Sequence, residues 1–173
     1  MWLYYLLKIV STVVSLLPYK LVVQIGRVLG HAYYHVAAKQ RIRAEETIKE
    51  RLGYDDALAQ QTIKNVFINL AITFMEILYI PALNKDNIRG LVSIDRPDVL
   101  WDAIKQGHGV VMLGCHMDNW EWLGAALALN GYPLSAVEKP QPNHVYSDFM
   151  NELRRGAGQE IFARGTNEIL GCA

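Results

Sequence analysis

Cysteine is scarce in this chain. Only Cys115 and Cys172 occur among 173 residues, with no CxxC pair. That excludes a disulfide-stapled secreted scaffold and a thiolate metal cage. Net charge is also missing: 17 basic groups face 17 acidic ones, which argues against a dedicated nucleic-acid binder. No repeat or low-complexity linker breaks the chain. A hydrophobic fraction of 51% against 20% charged excludes a disordered chain, and the length suits one domain with a sizeable core. The most informative absence is local. Residues 1–44 hold Lys8, Lys20, Arg27, Lys39, Arg41 and Arg43 but no Asp or Glu, so all 17 acids lie in 45–173.

That basic, apolar front end predicts membrane contact. Met1–Leu17 is apolar apart from Lys8 and closes at Pro18, a run somewhat short of the roughly 20 residues a spanning helix needs. It lacks the charged start and small-residue cleavage site of a signal peptide. Beyond Pro18, Lys20, Gln24, Arg27, His31 and His35 fall within about 80° of one helical face. A narrow basic stripe on an apolar helix fits an in-plane membrane helix, or one leg of a shallow hairpin turning at Pro18. The cluster Lys39–Arg43 suits a cytoplasmic juxtamembrane segment facing anionic headgroups. Residues 1–40 are therefore expected to be an anchor, with 41–173 the domain that it holds at the membrane. The competing reading is a pair of core helices.

Asp55–Ile80 predicts a long helix ended by Pro81, with Glu76 near its end as a solvated or capping charge. The rhythm then changes to alternation. Strands are expected at Leu91–Ile94, Gly109–Leu113, Pro133–Val137 and Glu160–Ala163. Helices are expected at Pro97–Gln106, Asn119–Leu129, His144–Arg155 and from Thr166. The fold class is α/β: N-terminal membrane-associated helices, then βαβ units with a mostly parallel sheet. A sheet of about four strands ending at Ala173 leaves an edge uncovered, so the sequence reads as the front portion of a longer domain.

Chemistry concentrates after the Gly109–Leu113 run. His116 and Glu121 are five residues apart, about 140° on a regular helix. They can meet only if His116 lies in the strand-to-helix turn and Glu121 in the first helical turn. Gly114 permits the turn, and Asp118 or Asn119 can cap the helix. Such a pair is a general base with its orienting carboxylate. With no Gly-x-Ser-x-Gly elbow, direct attack by an acceptor hydroxyl is favoured. Two structural readings compete: Asp118-x-x-Glu121 is also a capping box, and a histidine after a strand can simply bond backbone. Cys115, His116 and His108 offer no zinc site, because adjacent Cys and His project differently and no second ligand pair exists.

The run Gly109-Val-Val-Met-Leu-Gly-Cys-His116-Met-Asp-Asn119-Trp120-Glu121 resembles the signature of the bacterial lipid A biosynthesis acyltransferases, the late lauroyl/myristoyl transferases. The likeness continues through Glu138-Lys139-Pro140-Gln-Pro-Asn143, Leu153-Arg154-Arg155-Gly-Ala-Gly158 and Ile161-Phe-Ala-Arg164. It implies a glycerolipid-acyltransferase-like fold. It further implies that His116 is the general base with Glu121 as partner, moving a fatty acyl chain from an acyl-carrier-protein thioester to a lipid hydroxyl. Asn119 and Trp120 would shape the site. Arg154 would contact a phosphorylated acceptor or the oxyanion, with Arg155 the competing choice and Lys139 and Arg164 further phosphate contacts; each arginine has a solvated-surface reading as well. The implied partners are acyl carrier protein, a glycolipid acceptor and the cytoplasmic face of a bacterial inner membrane, with no metal, no cofactor and no nucleic acid. Acyl-CoA transfer to phosphatidylinositol mannoside or another glycolipid, and a non-catalytic lipid-binding fragment, are the alternatives. The family pattern continues beyond this stretch with further strands and an Asp-Gln motif.

Overall fold

Proline, capping side chains and apolar periodicity divide the chain into eight α-helices and two strands among the residues that the computed structural model describes, 2–139 and 141–164. The order is α1 (Trp2–Ser15), α2 (Tyr19–Val36), α3 (Ala38–Leu52), α4 (Asp56–Tyr79), α5 (Ile88–Leu91), α6 (Pro97–Lys105), α7 (Trp120–Leu129), β1 (Ser135–Glu138), α8 (His144–Gly156) and β2 (Glu160–Ala163). A 3-10 turn at Ile80–Ala82 ends the long α4, where Pro81 withdraws a backbone donor. The helix expected from Thr166 lies outside the described residues. Among the described residues two compact units emerge: Val13–Tyr79, and residues 2–12 together with those from Ile80 onward.

The first unit is helical. Its α2 and α4 run antiparallel, as the contacts of Tyr19 with Tyr79, Gly26 with Ile72, and Gly30 with Ile68 show. A Cβ on Gly30 would lie 2.5 Å from the Ile68 Cα, and one on Gly26 2.8 Å from the Ile72 Cα. Only hydrogen at these positions lets the backbones approach so closely. The core joins Ala37, Ile63 and Phe67, with Tyr34, Ala44 and Ile48 packed against it. Glu76, expected to be solvated or capping, instead accepts the Tyr19 hydroxyl at 2.6 Å across the helix pair.

In this unit α4 belongs to the one stretch of the described residues, Asp56–Ala82, long and apolar enough to cross a membrane by length and composition; 39% of its apolar window is buried in the protein. A core helix passes the same test. At 14 residues, α1 rises only about 21 Å, less than the ~30 Å hydrocarbon core. Its Trp2, Leu6, Ile9 and Val13 are nevertheless exposed and share one face.

The second unit holds the sheet. Strands β1 and β2 pair in parallel, Ser135 opposite Glu160 through Glu138 opposite Ala163, and α8 makes the crossover between them. The βαβ expectation is met here, on two strands among the described residues. It fails at two other places. Leu91–Ile94 is not a strand: α5 runs into Leu91 and the chain continues without pairing. Gly109–Leu113 is also not a strand, and Val111 and Leu113 are 90% and 93% exposed. An apolar run becomes a strand only by ladder bonds to a neighbour. The two described strands pair with each other, and residues 109–113 meet neither edge. In the same unit, Lys8 donates to Glu152 of α8 at 2.7 Å, and the Tyr4 hydroxyl donates to the same carboxylate.

Candidate functional site

The helix start at α7 is built from Asn119. Its side-chain oxygen accepts the Trp122 backbone N–H at 3.0 Å, an N-cap bond that satisfies one orphan donor of the first turn. The preceding Asp118 sits at φ 49, a left-handed conformation that reverses the chain into the helix. With Asn119 as the cap, the capping-box reading of Asp118-x-x-Glu121 does not hold. Glu121 is freed from that duty and turns inward, 5% exposed.

A buried carboxylate needs compensation, and Arg154 of α8 supplies it. Its guanidinium grips Glu121 through both oxygens, Nε to Oε2 at 2.8 Å and a terminal nitrogen to Oε1 at 2.5 Å. The other terminal nitrogen donates to Glu138 Oε2 at 3.0 Å and to Asn151 Oδ1 at 3.1 Å. Asn151 closes the ring by donating to Glu138 Oε1 at 2.6 Å. The hydrogen bond to Glu121 is the largest influence holding Arg154 above the ordinary arginine range, with burial opposing it. This clasp ties α7, β1 and α8 together.

His116 lies in the exposed loop before α7. Its ring packs on that of Trp120, centroids 4.8 Å apart at 56°. The Trp120 indole N–H donates to Glu121 Oε1 at 3.1 Å. His116 and Glu121 thus share Trp120 as an intermediary and make no hydrogen bond to each other. The remaining cations separate by position. Arg155 donates to the Ile161 carbonyl at 3.4 Å. Lys139 and Arg164 directly follow the paired strand ends, Glu138 opposite Ala163, and both are exposed. They therefore flank each other at the carboxyl edge of the parallel pair, where open α/β sheets place their sites. Neither has an ion-pair partner among the described residues, and no cluster there has metal-ligand character.

A family profile, "Bacterial lipid A biosynthesis acyltransferase", matches residues 1–171. The chain belongs to the lipid A acyltransferase family. It is also 30% identical over 87 residues to a phosphatidylinositol mannoside acyltransferase of Mycolicibacterium smegmatis, a stretch covering 50% of this chain and 28% of that relative. The chain thus spans little more than a quarter of that relative's length. No solved structure matches it.

For this lipid A acyltransferase-family chain, sequence reasoning missed Glu138 and Asn151 as parts of the site. Asn151 stands one turn before Arg154 on α8, a spacing at which side chains meet. Glu138 ends a strand directly before Lys139. Those are the signals that could have found them.

Proposed function

We propose that the chain carries the general base of an O-acyltransferase at the cytoplasmic face of a bacterial inner membrane, with acyl carrier protein as donor and a lipid A precursor as acceptor. The observation that carries this reading is the exposed His116 ring seated on Trp120, whose other edge is pinned by the buried Glu121–Arg154 clasp. A loop imidazole held at the mouth of a rigid polar support suits proton transfer with little reorganisation. His116 takes the proton of the acceptor hydroxyl as its oxygen attacks the thioester carbonyl. The tetrahedral intermediate collapses to an ester, and the departing thiolate recovers the proton from the imidazolium. Glu121 acts on this cycle through Trp120, whose indole N–H it accepts beneath the imidazole, and not by a bond of its own to His116. No metal or organic cofactor enters it. Lys139 and Arg164 suit a phosphorylated headgroup, since fixed cations favour phosphate oxygens.

The exposed Trp2–Val13 face of α1 and the acid-free, basic residues 1–44 support the membrane assignment. A second reading, transfer to a phosphatidylinositol mannoside with acyl-CoA as donor, is supported by the name of the mycobacterial relative.

Labelled acyl transfer by the purified protein decides between them, with acyl-carrier-protein and acyl-CoA donors crossed against lipid A precursor and phosphatidylinositol mannoside acceptors. His116→Ala is expected to lower transfer by about 10²–10⁴-fold with the preferred pair. Undiminished transfer would remove His116 from the mechanism.

A further inference from the structure

The helical unit contains a concave surface that the chemistry of His116 does not use. Between α3 and the start of α4 lies an open cleft of about 630 Å³. Its floor is apolar: Ala44, Ile48 and Leu52 of α3 and Ile63 of α4. Ile63 is a core residue with Ala44 and Ile48 packed against it, whereas Leu52 is 61% exposed, so the apolar surface runs from the core out to solvent. The rim carries Arg43 and Arg51. Arg43 has no ion-pair partner among the described residues. Arg51 has only an exposed contact with Glu50 at 3.9 Å, a kind of pair that holds its partner weakly. Of the other cations of α3, Arg41 pairs with Glu45 and lies over the Tyr34 ring and Lys49 pairs with Asp56 at 2.9 Å, while Lys39 is not among the residues that line the cleft.

We propose that this cleft binds an anionic lipid, its acyl chain on the Ala44–Ile48–Leu52–Ile63 floor and its headgroup on Arg43 and Arg51. A packing helix from another protein would cover the floor but has no need of two under-used guanidinium groups. An acidic protein would need a broad cationic surface, and Glu45 and Asp56 break that surface by neutralising Arg41 and Lys49. A charged head on an apolar tail answers both features. All these residues lie within the helical unit and binding is read without turnover, so the inference does not rest on the acyl-transfer reading.

The test is photolabelling of the full chain with lysophosphatidylglycerol carrying a diazirine in its acyl chain, followed by peptide mapping. Label is expected on α3 and the first turns of α4. Arg43→Ala with Arg51→Ala should weaken labelling about tenfold or more, and Arg43→Lys with Arg51→Lys should restore most of it. Leu52→Glu, at an exposed position where the fold is undisturbed, should abolish labelling while circular dichroism stays unchanged. Unlabelled lysophosphatidylglycerol should compete about tenfold better than lysophosphatidylcholine, and glycerol phosphate alone should not compete. Label placed elsewhere, equal labelling of the double Ala variant, or equal competition by the zwitterionic lipid overturns the proposal. So does displacement by acyl carrier protein lacking an acyl chain, which would give the face to a protein. His116→Ala should label like the parent, so failure of acyl transfer and failure of this site are distinguishable.

Discussion

Replacing Arg154 by Leu tests whether the clasp is structural. The guanidinium donates four hydrogen bonds, three of them to carboxylates. Its side chain is 18% exposed, while those of Glu121 and Glu138 are 5% and 14% exposed. Removing the cation leaves two poorly solvated carboxylates, each with one neutral donor, Trp120 on Glu121 and Asn151 on Glu138. Breaking a buried pair typically costs 3–5 kcal/mol, and residual solvent access places this case near the lower end, about 3 kcal/mol. Arg154→Lys keeps the charge but loses the fork, so an intermediate loss is expected. Urea unfolding followed by tryptophan fluorescence suits the measurement, because Trp122 is buried on α7 beside Glu121. The midpoint should fall by about 1–2 M with the slope unchanged. A cycle with Glu121→Leu isolates the pair: the double variant should lose less than the sum of the singles by at least ~1.5 kcal/mol. Additive losses, or an Arg154→Leu variant within ~0.5 kcal/mol of the parent, would refute the clasp. A raised KM with unchanged stability would return Arg154 to the substrate.

Three further expectations follow from the packing. Gly30→Ala should gain up to about 1 kcal/mol of helix propensity, yet its Cβ would meet backbone at 2.5 Å; overpacking of about 1–3 kcal/mol wins, so thermal unfolding should shift down, and a stabilised variant would contradict the close helix approach. Lys8, and secondarily Tyr4, hold the Glu152 carboxyl below its ordinary value. A depressed carboxyl stabilises above its unfolded range and loses that contribution as pH falls through its folded value, so the protection of α1 amides, taken relative to the intrinsic exchange rate at each pH, should fall on acidification below about 4.5, the ordinary glutamate value, and pH-independent protection of α1 would oppose the tie to α8. Ile9→Glu with Val13→Glu, at positions 62% and 55% exposed, should leave stability within about 0.5 kcal/mol and reduce pelleting with anionic vesicles; unchanged pelleting would take α1 out of the membrane contact.

Most helices were legible because their signals are local. Pro18 and Pro81 end apolar runs, Pro97 starts α6, and Asn119 and Asn143 accept capping bonds. The strand Glu160–Ala163 has the expected bounds, and β1 begins two residues later than expected, at Ser135. Gly109–Leu113 was not legible as the exposed segment it is. Its composition reports suitability for burial on two faces, whereas strand formation depends on which neighbours are present. Likewise Gly26 and Gly30 stand in plain view as G-x-x-x-G, but their role needs Ile68 and Ile72 from a helix about forty residues away.

The cations near the His116 turn show why a site is harder to read than a helix. Lys139, Arg154, Arg155 and Arg164 are interchangeable in a sequence, each suited to a phosphate or to solvent. Acceptors within reach distinguish them in the structure. Arg154 meets two carboxylates and an amide, so its donors are largely spent inside the protein. Arg155 turns to a carbonyl. Lys139 and Arg164 stay exposed at adjoining strand ends with their charges uncompensated by the described residues. Charge available to a ligand is charge not already neutralised, so phosphate recognition should fall on these two. Lys139→Ala with Arg164→Ala should then raise KM for a phosphorylated acceptor about tenfold or more, and leave both the urea midpoint and the KM for a dephosphorylated acceptor unchanged. Equal effects on the two acceptors would mean that Lys139 and Arg164 act on something other than phosphate.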